Sequence, residues 1–214
     1  MRVLITGTSN GIGKAVAEKF LNMGHTVIGF DIAPKTIDNP NYIHFMQDVT
    51  ETLPDLDGIE IVVNNAGVQN SGRDIEVNLS GSIRVTEKYA FQDKIKSVLF
   101  IASASARSGA EFPEYVASKG GMVSYMKNVA LRLARYNATA NSLSPGGVTT
   151  DLNKHVMEDP DLWNRIMAET LIPKWASPEE IAEWAYFVTV INKSMTAEDL
   201  LIDNGEYAKS TFIW

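Results

Sequence analysis

The sequence predicts an α/β protein: a doubly wound parallel β-sheet in a three-layer α/β/α arrangement, forming one domain over residues 1–214. Three observations predict it. Short apolar runs alternate with longer amphipathic stretches, the pattern of strand–helix–strand units. Several of those runs are apolar with little alternation, as strands buried on both faces are. No internal repeat, low-complexity tract or linker divides the 214 residues, a length able to bury a substantial core by itself.

In chain order, Arg2–Ile5, Thr26–Phe30, Ile59–Val63, Ser97–Ile101, Ala138–Leu143 and Asp199–Ile202 read as strands. A further strand, without clear bounds, is placed just before Asp48. Lys14–Met23, Ile75–Gln92, Tyr115–Tyr136 and Pro178–Ile191 carry the helical pattern. In such a sheet, ligands bind beyond the carboxyl ends of the strands, so the residues just after each strand are the candidates for function.

Composition excludes several function classes. With 45% hydrophobic and 21% charged residues the chain is an ordinary globular one. A formal net charge of −7 with scattered basic residues argues against nucleic acid or an anionic membrane as partner. The chain has no cysteine, which rules out disulfides, thiolate catalysis and cysteine-ligated metals. His25, His44 and His155 show no metal-ligand spacing; the first two read as structural and His155 as a solvated position. The four tryptophans read as packing residues. No charged leader with an apolar run opens the chain and no stretch of 18 apolar residues occurs, so the expected location is cytoplasmic.

Residues 6–13, TGTSNGIG, lie between the first strand and the first helix. A glycine-rich turn there is either a tight turn or a cradle for a pyrophosphate. In the second reading Gly7 lets the chain turn sharply and Gly11 lets backbone approach the phosphates. Gly13 lets the helix pack close, its positive N-terminal end aimed at the anion. Asp31, eighteen residues after Gly13 at the end of the second strand, is placed to accept the ribose hydroxyls of NAD and to repel the extra phosphate of NADP. Lys35 is the nearest cation able to soften that repulsion.

The motif TGxxxGxG after strand one resembles that of the short-chain dehydrogenase/reductase family, Rossmann-fold oxidoreductases, and further segments match in the family's order. Asp48-Val49 looks like the pair that holds the adenine, and Asn64-Asn65-Ala66-Gly67 is similar to the family's NNAG. Pro145-Gly146-Gly147-Val148-Thr149-Thr150 is similar to its PGxVxT, and Asp203-Asn204-Gly205-Glu206 to its DGG, with Asn204 and Glu206 as departures. The resemblance assigns NAD(H) binding to Gly7, Ser9, Asn10, Gly11, Ile12, Gly13, Asp31, Ile32, Asp48, Val49, Asn65, Ala66, Gly67, Pro145, Gly146, Val148 and Thr150, together with Tyr115 and Lys119.

Tyr115 and Lys119, four apart, leave one face of a helix and are similar to the family's YxxxK. A free phenol titrates near ~10, and a neighbouring ammonium is expected to lower that value. The resemblance implies that Tyr115 exchanges a proton with the substrate oxygen while hydride moves at the nicotinamide, that Lys119 also holds the ribose, and that a serine after strand five polarises the same oxygen. Ser103 is preferred for that role because it lies at the strand end; Ser105 is its rival. Asn78 matches a helix asparagine that holds a relay water, or else caps or kinks its helix.

Residues 151–175 resemble a substrate lid, with Val156, Met157, Trp163 and Met167 as candidate apolar lining. The ten residues between Gly67 and Asn78 are too few for the helix the family usually has there, which opens the adenosine side. The tail STFIW is expected to dock on the core or on a partner subunit. The resemblance is strongest in feel to 3-oxoacyl-carrier-protein reductases and simple alcohol or sugar dehydrogenases. It implies an enzyme interconverting a secondary alcohol and a carbonyl, assembled as a homodimer or homotetramer through the helices bearing Asn78 and Tyr115. The alternative is a dinucleotide-binding sensor or scaffold that keeps the fold without turnover.

Overall fold

The computed structural model describes residues 1–209, so the STFIW tail lies outside the described residues. Strands β1 (Arg2–Thr6), β2 (Thr26–Asp31), β3 (Tyr42–Met46), β4 (Ile61–Asn64), β5 (Ser97–Ile101), β6 (Thr139–Pro145) and β7 (Asp199–Ile202) form one sheet in the order β3-β2-β1-β4-β5-β6-β7. Every neighbouring pair is parallel. From β1 the chain runs outward to β2 and β3, then returns to the other side for β4 to β7. The carboxyl ends of β1 and β4 therefore part company, which opens a crevice at that switch point.

Helices cover both faces. On one side α1 (Gly11–Asn22) packs on α7 (Pro178–Tyr186), burying Val16, Phe20, Ile181 and Ala185 against Val3, Ile5, Ile61, Val63 and Leu99. On the other, α2 (Ser82–Tyr89) and α4 (Pro113–Leu133) bury Val85, Met122, Met126, Val129 and Leu133 against Leu4, Ile28, Val62, Val98 and Phe100. Alternate residues of each strand thus enter opposite cores, and both sets are apolar because both faces are dry. All five residues of β5 are buried.

β5 and β7 have the bounds their sequence predicts. The others shift by a residue or two. The helix expected over Ile75–Gln92 opens as a widened π-type turn, Ile75–Gly81, before α2, and ends at Tyr89. The helix expected over Pro178–Ile191 passes from α7 into a second π-type turn, Phe187–Ile191. Between β5 and α4 lies the short α3 (Ser105–Ser108). The expected lid contains α5 (Lys154–Met157) and α6 (Pro160–Met167), neither of which has a fully buried residue. Val156, Met157, Trp163 and Met167 are half-buried, with Trp163 edge-to-face against Trp175 at 5.2 Å. Both ends of the lid are pinned. Val148 bridges Ala176, and the amides of Leu171 and Ile172 donate to the Asn204 carbonyl.

No helix intervenes between Asn64 and Asp74. The short connection is held instead by the Asp74 carboxylate, buried at 1% exposure, which accepts from the amides of Asn70 and Ser71 (2.8 Å each) and from the Ser71 hydroxyl (2.9 Å). Burial acts to raise the Asp74 pKa, and these hydrogen bonds outweigh it, holding the group below the usual carboxylate range. Asp74→Ala strands those donors and is expected to cost about 1–3 kcal/mol in urea unfolding. Because the folded pKa is depressed, the wild-type advantage is present above the unfolded carboxylate pKa of about 3.9 and fades as pH falls through the lower folded value. Stability curves of the two proteins should therefore converge in acid.

Candidate active site

The crevice begins with the turn after β1. Gly7 has φ +75°, a left-handed conformation that favours glycine, and its amide donates to the Phe30 carbonyl at 2.7 Å. A Cβ on Gly13 would overlap the Gly7 carbonyl oxygen, so a side chain there would push α1 away from the turn. α1 starts at Asn10 with no side-chain cap and no acid in its first turn. Its first N–H groups, at the positive end of the helix dipole, are thus left to an outside acceptor. Ser9 does not cap either: its hydroxyl donates to the Pro34 carbonyl at 3.0 Å.

Thr6 and Asn65 splice β1 to β4. The Thr6 hydroxyl oxygen accepts from the amides of Asn65 (3.0 Å) and Ala66 (2.9 Å), while Asn65 Nδ2 donates to the carbonyls of Thr6 (2.9 Å) and Gly7 (3.1 Å). Asp31, half-exposed, accepts from the Ser9 amide through Oδ2 and the Ala33 amide through Oδ1, both at 2.8 Å. It ties the glycine turn to the loop after β2, with Ile32 beside it 70% exposed. Asp48 accepts from the amide and hydroxyl of Thr50, and Val49 is buried. On the far wall, Gly146 donates from its amide to Ile202, and Thr150 lies 3.4 Å from where a Gly11 Cβ would be. These residues follow the carboxyl ends of the parallel strands.

The second group sits between β5 and α4. Ser103 Oγ accepts from the Ser105 hydroxyl (2.9 Å) and amide (3.2 Å), which leaves its own proton to donate outward, on the side of the Tyr115 phenol. Ser105 thus donates to Ser103 through both its hydroxyl and its amide. Lys119 is 4% exposed; its Nζ donates to the Ile101 carbonyl at 2.8 Å and lies 5.6 Å from the Tyr115 ring centre. A Cβ on Gly67 would come 3.5 Å from that Nζ and 3.1 Å from Asn78 Oδ1, so glycine lets the cofactor-side loop close over the lysine. Asn78, fully buried in the π-type turn, accepts from the Val68 amide and donates to the Val68 carbonyl and the Ser118 hydroxyl. Ser118 in turn donates to the Tyr115 carbonyl. Both protons of the Asn78 amide are thus spent on bracing the loop to α4.

The electrostatics correct one expectation. Burial pushes the Tyr115 phenol up to about 12; the Ser103 hydrogen bond lowers it, and the charges of Glu111 and Asp74 add to the rise. Lys119 does not pull it below that of free tyrosine. Burial draws Lys119 itself down to about 8, against the favourable charges of Glu111 and Asp74. At neutral pH the pair is a neutral phenol beside a mostly protonated ammonium.

Some contributors left only a faint mark in the sequence. Thr6 opens the glycine motif and Ser118 precedes Lys119, yet neither carries a residue-type signal for its hydrogen bonds. His25 and His44 lie outside the crevice's catalytic end. His25 meets the chain's amino group and the Tyr186 hydroxyl, and His44 meets the Tyr42 hydroxyl and the Ala33 carbonyl. Among the described residues no three His, Asp or Glu side chains are placed to hold a metal ion. No helix among them is long and apolar enough to cross a membrane.

Comparison with known proteins accords with this geometry. Residues 38–206 match the family model described as enoyl-(acyl carrier protein) reductase. The short chain dehydrogenase adrF of Penicillium roqueforti is 32% identical over 193 residues, covering 76% of this chain and 75% of that protein. The chain belongs to the short-chain dehydrogenase/reductase family. This oxidoreductase is also 28% identical over 239 residues to the 3-oxoacyl-[acyl-carrier-protein] reductase FabG of Thermotoga maritima, covering 94% of this chain and 96% of that one. Among solved structures, the aldohexose dehydrogenase of Thermoplasma acidophilum superposes with a TM-score of 0.85 at 26% identity, covering all of this chain (100%) and 96% of that one. A short chain dehydrogenase family protein of Francisella tularensis gives 0.84 at 27% identity, covering 97% of this dehydrogenase/reductase and 99% of that chain.

In the cofactor-free protein, the absorbance titration of wild type minus Tyr115→Phe is expected to show no phenolate from Tyr115 through about pH 10, where a free phenol is half ionised. A midpoint at or below that of free tyrosine would restore the simpler picture of a lysine-lowered phenol.

Proposed function

We propose that the protein is an NAD(H)-dependent oxidoreductase that interconverts a secondary alcohol and a ketone or aldehyde. The observation that carries this reading is the convergence of Ser103, Tyr115 and Lys119 at the carboxyl end of β5, beside a glycine turn whose helix start is uncapped. The residues fit a dinucleotide. The α1 N–H groups would meet the pyrophosphate, Asp31 the adenosine ribose, and Asp48, Val49 and Ala66 the adenine. The uncommitted N–H groups of Lys119 would meet the second ribose, and Pro145 to Thr150 the carboxamide. When bound, the nicotinamide supplies or accepts the hydride.

In reduction, Ser103 donates its free proton as a hydrogen bond to the substrate carbonyl oxygen, drawing charge towards it. Tyr115 then gives its proton to that oxygen as the alcohol forms; in oxidation it takes the proton back. A phenol held near 12 stays protonated at neutral pH, which suits the reductive direction. The Lys119 ammonium stabilises the phenolate once it has formed. Asn78 holds the loop and α4 in register; a relay water would have to use its main-chain carbonyl, which also accepts from Ser82 at 2.6 Å.

Preference for NAD over NADP rests on Asp31. Its two oxygens keep lone pairs for ribose hydroxyls while its charge opposes a ribose phosphate, and Lys35 lies over the Tyr42 ring at 6.0 Å. NADH should bind at least about tenfold tighter than NADPH, about 1.4 kcal/mol. Equal affinities measured by fluorescence titration would remove the role given to Asp31. Tyr115→Phe should lower kcat/KM for NADH-dependent carbonyl reduction by ~10²–10⁴ with NADH affinity retained. NADH binding with no turnover on any ketone, aldehyde, keto sugar or oxoacyl thioester would favour a dinucleotide sensor instead.

A further inference from the structure

Two carboxylates that the hydride chemistry does not use lie at the rim of the crevice: Glu111, bonded to Gln69 beside the Gly67 loop, and Glu206, beside Gly146 at the end of β6. Glu111 precedes α4 by two residues and sits in a left-handed backbone conformation, φ +81°, and its charge acts on the Tyr115 phenol. Gln69, two residues past Gly67 on the opposite wall, donates to its Oε2 at 2.9 Å. The bond bridges the cofactor-side loop and the approach to α4. Glu206 is one of the two departures in the segment after β7. Its Oε2 lies 3.6 Å from the position of a Gly146 Cβ, at the rim where β6 ends beside the catalytic serine loop, and the Ala104 amide donates to the neighbouring Pro145 carbonyl.

The Glu206 charge acts on Glu111, and the Glu111 charge acts on Tyr115 and Lys119. Partial burial raises the Glu111 pKa, the Gln69 bond opposes the rise, the Glu206 charge adds to it, and Lys119 lowers it. Glu206 is raised by burial and by the charges of Asp203 and the lid's Glu169. Among the described residues no cation lies within 4.0 Å of either. Of the cations in neighbouring segments, Arg107 is engaged by Asp199, Lys174 by Glu180 and Lys154 by Glu158, and Lys209, whose amide donates to the Glu206 carbonyl, makes no ion pair with Glu206 within 4.0 Å. Lys119, the one ammonium in the floor, is buried beneath Tyr115 and Gly67, on the side assigned to the dinucleotide.

We propose that Glu111 and Glu206 are specificity-determining residues that make the substrate side of the cleft an acceptor surface. They select carbonyls or alcohols bearing hydroxyl or ammonium donors next to the reacting carbon, and reject those bearing a carboxylate there. The proposal rests on the oxidoreductase reading above and goes further by naming the substrate class. A carboxylate substrate approaching these two acids, neither of which is ion-paired, meets like charge, which is unfavourable. A donor-bearing substrate finds acceptor oxygens already in place.

The test is NADH-dependent reduction of three ketones of equal size: hydroxyacetone, aminoacetone and pyruvate. Wild type, Glu111→Gln, Glu206→Gln and the double variant are compared. Glutamine keeps an acceptor oxygen for Gln69 and nearly the same shape, so a purely structural role would leave the ratios unmoved. Wild type is expected to favour hydroxyacetone and aminoacetone over pyruvate by at least about tenfold in kcat/KM. The aminoacetone-to-pyruvate ratio should fall by about threefold or more in each single variant and about tenfold in the double, with NADH Kd unchanged. Added salt should shrink the same ratio in wild type by screening these exposed charges. Pyruvate reduced as well as aminoacetone by wild type, or a ratio untouched in the double variant, overturns this proposal alone. NADH binding with no turnover of any of the three overturns the proposal together with the reading on which it rests.

Discussion

The junction of Thr6 with Asn65 is the constraint on which the crevice depends. At the switch point two parallel strands end side by side and their chains leave in opposite directions, which strands backbone donors and acceptors at the place where a ligand must enter. One threonine hydroxyl satisfies two amides of the chain leaving β4, and one asparagine amide satisfies two carbonyls of the chain leaving β1. With those four groups paired inwardly, the N–H groups at the start of α1 are the ones that face the opening. The glycine turn can then be as open as it is because its rim is locked from below. Gly13 packs against the Gly7 carbonyl on the same axis, so the angle of α1 follows from the splice rather than from the turn itself.

The catalytic end shows burial and charge competing, and burial winning. A Tyr–Lys pair one helical turn apart suggests an acidified phenol, but both groups are withdrawn from water, and desolvation penalises phenolate and ammonium alike. The resting pair is therefore a neutral proton donor over a barely retained cation. What keeps Lys119 charged is the Ile101 carbonyl together with the fields of Glu111 and Asp74, the same fields that disfavour the phenolate. In the proposed reduction the phenol would hold its proton until the substrate oxygen takes it.

How much of this was legible in the sequence follows from what each feature depends on. β5 and β7 read off with the right ends because SVLFI and DLLI are short apolar runs flanked by polar residues. β3 offered no clear bounds because, at the sheet edge, only Tyr42 of its five residues is fully buried, and His44 interrupts the run. The helix interruptions after Ile75 and Tyr186 were invisible because a π-type turn uses nearly the same apolar spacing as the helix around it. Glycines, acids and the Tyr–Lys spacing marked the crevice, since each residue type is nearly dictated by its task. The direction of the Tyr115 shift was not legible, because it depends on depth beneath neighbouring chain segments rather than on neighbours in sequence. The facing of Glu111 and Glu206 across 95 positions is likewise a product of topology alone.

The connection between Gly67 and Asp74 carries no helix, and a chain of polar contacts holds it in place. Asp74 gathers the amides of the loop, Asn78 clamps Val68, and Ser118 carries the link to the backbone of Tyr115. The widened turn at Ile75–Gly81 is what lets the Asn78 side chain, rather than a longer helix, reach both partners. A connection this short without regular structure would ordinarily leave backbone groups unpaired. Here the buried Asp74 carboxylate pairs the loop's donors and also contributes to the field at Lys119 and Tyr115. The loop is thus coupled to Tyr115 through hydrogen bonds and to both Tyr115 and Lys119 through charge, so the start of α4 is braced by the connection that precedes Asn78.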